Sequence, residues 1–352
     1  MAFARFAYDR SGSIIVCVDQ AELLAYSGSD EHPMWRQTCE APLAAVGTTV
    51  GEVVAVDTAG RMHRFEANSG SKLDGVGLGG PARALAVARD GTCAALLEDR
   101  IVMVAGGKSS KELAAPGATC VAISDEGSAA AIGTRQGRVQ VLDLRAGTEM
   151  GSFELGHEVQ SICWNVRGFW LGTAGDQLWR IDAAGRLGAS LAKLPGLQPH
   201  LTSSADGGLV ACRTGAGQVS VVTLPQGETV ATLGYQRSIE GIAFGPDVWL
   251  GIGLDKGDGN KINLITGACH RTDTHPGRAH DSWEVAIQID KQKVKDGRST
   301  ANPSAEAVRA KIAAKNAAPP AGTGRLSLRY VGGLIVVAVV LVGGAFLAHS
   351  CR

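Results

Sequence analysis

Five side chains within twelve residues, His270, Asp273, His275, His280 and Asp281, are imidazoles and carboxylates of the kind zinc accepts. Three of the chain's eight histidines fall there. No pair has a standard ligand-motif spacing, so a plain polar loop stands beside metal binding as the other reading. Just upstream, 254–261 carries Asp255, Asp258 and Asn260, oxygen ligands of the type calcium takes. The spacing and terminal Glu of an EF-hand are missing, and a long hairpin turn accounts for the same residues. The chain has eight cysteines, none in CxxC spacing. Most sit inside apolar runs, where Cys acts as a small buried hydrophobe, and a chain this long needs no disulfide framework. G-x-S-x-G, Walker A and dinucleotide fingerprints are all missing in the strand-to-helix context they require. A Cys–His nucleophile is assembled in space rather than in sequence, and nothing in the residue order points to one. No catalytic residue is assigned, and no cofactor is called for.

The elements that would position these groups are strands. Gly contributes 47 of 352 residues, which suits a turn-rich chain. Lys plus Arg and Asp plus Glu stand at 34 each, a balance that gives no case for nucleic acid. Residues 118–155 show the unit most clearly. CVAI is closed by Asp125, Glu126 and Gly127; AAAIG ends at RQG; a strand carrying Val139, Val141 and Leu142 follows; Gly147 opens the turn to a fourth. The first turn of the unit recurs at DRSG (9–12), TTVG (48–51), RDG (89–91), DEG (125–127), VRG (166–168), ADG (205–207) and GPD (245–247). The interval is about 40 residues, which gives seven units.

Second strands such as IIVCV, EVVAV, TCAALL and LVACR carry no sustained polar face, so both faces must be covered. A four-stranded sheet with two apolar faces cannot bury itself. Seven such sheets stacked around an axis cover one another and leave only short edges. The unit resembles the blade of the WD40 and YVTN-type propeller superfamily. The resemblance is carried by Asp143-Leu144-Arg145-Ala146-Gly147 after a third strand and, more loosely, by 223–227. Gly156-His157 matches the Gly-His that precedes many such blades; the closing Trp-Asp is replaced by Ile181-Asp182 and Leu142-Asp143. The expected fold is an all-β, seven-bladed β-propeller of four-stranded antiparallel blades over residues 1–290, plus one C-terminal transmembrane helix.

In a propeller the second-to-third strand turns share one face with the connections between blades. That face is expected to show Asp19, Glu22, Asp57, Arg61, Glu98, Asp99, Arg135, Asp176, Arg213, Asp255 and Asp258. The resemblance implies that another protein binds there. Ring closure is expected without a shared blade, with 283–289 (WEVAIQI) supplying the outer strand of the seventh unit after an insertion over 267–282.

Past residue 290 the character changes. Residues 291–329 read as a polar linker, with Asn302-Pro303 capping a short exposed helix over 304–317. Residues 330–348 are uncharged and apolar, and as a helix span about 28 Å, close to a bilayer core. Arg309, Lys311, Lys315, Arg325 and Arg329 lie upstream and only Arg352 lies beyond, which puts the upstream side in the cytoplasm. The short tail 349–352 fits tail anchoring, and Asp9 and Arg10 interrupt the N-terminal run too early for a signal peptide. The expected function is a noncatalytic protein-interaction scaffold, tethered to the lipid bilayer by the C-terminal helix, with its propeller on the cytoplasmic side. A ligand- or metal-sensing propeller and a propeller hydrolase are the alternatives.

Overall fold

The computed structural model describes residues 6–9, 14–27, 32–255, 258–272 and 284–301. They form seven antiparallel sheets, each built on four consecutive strands in sequence order, one of them with a fifth strand added. The blades cover residues 6–38, 43–77, 84–114, 118–154, 159–193, 201–235 and 239–272. The first turns read at 48–51, 89–91, 125–127, 166–168, 205–207 and 245–247 lie where an inner strand gives way to the second strand of its blade; residues 10–12 lie outside the described residues.

The second strands show why the sheets stack. In blade 1, Ile14, Val16 and Val18 pack toward blade 2, while Ile15 and Cys17 point the other way. In blade 2, Val53 and Ala55 return the contact to blade 1, and Val54 and Val56 face blade 3. Period-two alternation places successive side chains on opposite faces, so an unbroken apolar run feeds two interfaces. The core is divided into seven clusters, one between each neighbouring pair of blades, including blades 7 and 1. The ring is therefore closed.

Closure uses no shared sheet, as the sequence implied. Blade 1 and blade 7 meet face to face through side chains. Phe6 lies over Gly251 and Gly253 of blade 7, and a Cβ at either glycine would collide with it. The turn after the third strand also explains its sequence motif. The Asp143 carboxylate accepts the N–H groups of Arg145 and Ala146 at 2.8 Å each, and Gly147, at φ +70°, donates back to the Asp143 carbonyl. Asn263 builds the same turn in blade 7 with Ile265, Thr266 and Gly267.

Two expectations are corrected. The outer strand of blade 7 is Cys269–Thr272, which pairs with Gly259–Asn263 in the register Ile262 to Cys269 and Lys261 to His270. Strand Glu284–Ile289 instead adds a fifth strand to blade 6, antiparallel to Thr229–Tyr235, with Ile287 opposite Leu233. Alternation identifies a strand but not its neighbour. The tight Asn263 turn delivers Cys269 to its own blade at little loop-closure cost, which frees the later strand for the edge of blade 6.

The polar stretch after residue 290 does not begin as a linker. Lys291–Ala301 is a helix, started by Asp290, whose carboxylate accepts the Lys293 N–H at 3.1 Å. Val294 is completely buried in the cluster between blades 6 and 7. Lys291 reaches the Thr266 carbonyl, Lys293 pairs with Glu228, and Arg298 pairs with Asp206. One apolar residue suffices because it fills a ready gap between blades; moment-type patterning has no way to register that. Among the described residues no helix is long and apolar enough to cross a membrane. The segments 304–317, 330–348 and 349–352 lie outside the described residues.

Candidate functional site

The seven second-to-third strand turns and the connections between blades lie on one face, tied together by their backbones. Ala115 donates to Asp99, Leu155 to Gly137, Arg135 to Gly117, Leu194 to Asp176 and Tyr235 to Gly217. Each bond fixes a turn against the connection that enters or leaves its blade.

The eleven residues expected on this face divide by role. Asp57 is only 2% exposed. One of its oxygens accepts the N–H groups of Ala59 (3.0 Å) and Arg61 (2.8 Å), and the other lies 2.7 Å from Nε2 of the equally buried His63. It shapes the turn and offers nothing to a partner. The Asp176 carboxylate accepts N–H bonds from Gly196 and Leu197, and the Arg213 guanidinium donates to the Gly215 carbonyl. Asp255 and Asp258 each take a 2.6 Å bond from Arg237, which also donates to the Asp255 carbonyl. These two carboxylates hold the blade 6 to blade 7 connection against the ends of strands Trp249–Leu254 and Gly259–Asn263. Asn260 is buried and accepts from the Cys269 thiol.

The exposed charges are Arg61, Glu98, Asp99 and Arg135. They stand on blades 2, 3 and 4 and form an arc on one side of the mouth. Their ionic contacts are Arg61 with Glu40 at 4.0 Å, Glu98 with Arg83 at 2.6 Å, Asp99 with Arg100 at 3.3 Å, and Arg135 with Glu158 at 4.0 Å. Exposed pairs of this kind stabilise by about 0–1 kcal/mol and are readily exchanged for others. Glu22 pairs with Arg36 at 3.4 Å, and Asp19 is half-buried.

Of the five imidazoles and carboxylates set near the C-terminus of the ring, His270 is on the blade 7 outer strand, exposed, with its ring 5.3 Å from that of Trp249. Asp273, His275, His280 and Asp281 lie outside the described residues. Among the described residues no group of three or more acidic, His or Cys side chains is placed to hold a metal. Among the described residues, Cys39, Cys93, Cys120, Cys163 and Cys212 form no disulfide. Burial pushes Cys93, Cys120 and Cys163 up to about 12, so these thiols are protonated and are poor nucleophiles.

Two cavities among the described residues lie on the axis of the ring. The one at the far face is about 520 Å³, bordered by Tyr8, Trp164 and Phe244. The one beneath the candidate face is about 360 Å³ and is lined from the inner strands or their leads in blades 2 to 7. Arg83, Arg135 and Glu158 stand at its edge, with Gln160 and His200 in its wall. His200 holds φ +111°, a backbone state uncommon outside glycine, and its carbonyl accepts the Arg213 N–H. Burial, followed by the nearby Arg213 charge, pushes the His200 imidazole down to about 4. Its ring is neutral at pH 7. His200, Gln160, Arg237 and His63 were not singled out from the sequence. None is a residue type repeated at its position from blade to blade, so periodicity carries no signal for them.

No protein-family model matches the chain, and no curated protein matches it in sequence. Among solved structures, the β-propeller domain of Cps50 (Swd1) from Myceliophteria thermophila superposes with a TM-score of 0.63. The match covers 73% of this chain and 94% of that one at 13% identity. At that identity the likeness is one of fold: the chain is a β-propeller.

Proposed function

We propose that this propeller is a noncatalytic scaffold that holds another protein on the arc formed by blades 2 to 4, and that the apolar segment 330–348 tethers it to a membrane with the propeller on the cytoplasmic side. The observation that carries the scaffold reading is the division of labour on one face. Buried or clamped carboxylates rigidify blades 2, 5 and 7, while Arg61, Glu98, Asp99 and Arg135 remain exposed on a continuous arc. A rigid frame presenting exchangeable charges gives a partner orientation and specificity at low ordering cost. Tethering rests on the sequence alone. It would raise the local concentration of the scaffold near membrane partners.

The test is capture of partners from detergent-solubilised membranes by the full-length protein. A control lacks 330–352, and a second carries Arg61→Glu, Asp99→Lys and Arg135→Glu. The reading expects loss of membrane fractionation in the first control. It expects loss of captured protein, with an unchanged melting temperature, in the second. Equal capture by the charge-reversed protein would move the site off this arc.

A further inference from the structure

The cavity beneath the candidate face carries unmet hydrogen-bonding capacity. The Nε2 atom of His200 is buried in a residue only 9% exposed and has no hydrogen-bond partner among the described residues. The Oε1 atom of Gln160 is likewise buried and unpartnered. Both residues line the same space of about 360 Å³, the lower end of the range for small-molecule sites. The backbone of His200 is held at a φ uncommon outside glycine. Strain of this kind persists where the surroundings over-determine it, and it concentrates at binding sites.

The charges select what can enter. Arg83 and Arg135 at the edge, with Arg213 behind His200, oppose a cation. Glu158 at the same edge opposes an anion. A neutral imidazole offers one donor and one acceptor, and a glutamine amide offers both from one end. The group that answers them in either imidazole tautomer and either amide orientation is one that is itself neutral and both donates and accepts. From this we infer that the axial cavity is a binding site for an uncharged primary carboxamide, with His200 and Gln160 as its two hydrogen-bonding contacts. The carboxamide is carried either by an Asn or Gln side chain of the partner segment or by a free small molecule. The first source rests on the scaffold reading; the second does not.

The probes are propionamide, propionate and n-propylammonium, which share a carbon skeleton and differ in charge. They are titrated into the full-length protein in detergent micelles while the His200 imidazole resonance is followed by NMR. Propionamide is expected to shift that resonance saturably, and the two ions at equal concentration are not. Gln160→Leu should weaken propionamide binding about tenfold, the value of one lost hydrogen bond. His200→Asn keeps a residue tolerant of positive φ and should abolish the response of the Gln160 side-chain amide. The same response to all three probes, or to none, overturns the inference. So does undiminished binding in a folded Gln160→Leu protein. To separate the sources, a partner captured on the arc is competed with propionamide. Release indicates a partner Asn or Gln in the cavity, and binding without release indicates a free carboxamide ligand. Partner capture by a parent protein that takes up no propionamide leaves the scaffold standing and removes only this site.

Discussion

Arg298 donates from Nε to Oδ2 of Asp206 at 2.8 Å, joining the terminal helix to the first turn of blade 6 across 92 residues of chain. Burial alone would raise the Asp206 carboxyl. Hydrogen bonds from Ser204, Arg298 and the Gly208 N–H more than offset it and hold the group below the usual carboxylate range. A depressed carboxyl contributes stability that is present above its unfolded value and is lost as pH falls through the folded one. Arg298→Ala should therefore cost at most about 1 kcal/mol at neutral pH, as a partly exposed pair would. The gap from the parent should close in acid. Val294→Ala leaves a hole under blades 6 and 7 and should cost about 1–2 kcal/mol at every pH. Urea denaturation midpoints between pH 3 and pH 7 separate the two.

His200 predicts a second acid dependence. Its imidazole is pushed down to about 4 in the folded protein, against 6.5 unfolded. As pH falls below 6.5 the unfolded chain takes up a proton that the folded one refuses. Stability attributable to this group is present above that value and is gone once pH drops past about 4. The full effect is on the order of 3 kcal/mol. His200→Asn should flatten the stability curve across that window. A curve as steep as the parent's would mean that the imidazole is hydrated.

Arg237 is the cation between Asp255 and Asp258, and Asp258 is buried. Removing the cation leaves a carboxylate in a poor solvent. Arg237→Met should cost about 3–5 kcal/mol, with Asp258→Asn recovering part of it. Thermal or chemical unfolding of the single and double variants measures the coupling. Additive effects would show that the carboxylates find water on their own.

The thiols should sort by burial. Iodoacetamide at pH 8 is expected to label Cys269, the exposed one of the seven described cysteines, well before Cys93, Cys120 and Cys212. Burial raises all three of the latter. They should react only once the chain unfolds, so peptide mass spectrometry along a urea series reports the opening of the ring.

The strands and their count were readable because each blade repeats one demand, apolar side chains on both faces of a short strand between glycine turns. The pairing of Glu284–Ile289 with blade 6 was not, since alternation is blind to which edge accepts it. The helix at Lys291–Ala301 hid behind a polar sequence because Val294 alone carries its docking. On the face, turn position points to Asp57, Asp176 and Asp258 but carries no sign that their carboxylates are consumed in holding the turns. His200 and Gln160 depend on the shape of the axis, which exists only once seven blades have closed.

The meeting of the first and last blades has one more effect. Every other neighbour is joined to the next by continuous chain, whereas these two meet, among the described residues, through side chains: Phe6, Tyr8, Ile15, Cys17, Leu24 and Tyr26 against Ala243, Trp249 and the glycines of blade 7. The circle can thus part at that point without tearing a ladder. Warming or pulling should turn it into a crescent of intact sheets before any blade melts, and re-sealing needs only that the side chains of this one interface find their seats again.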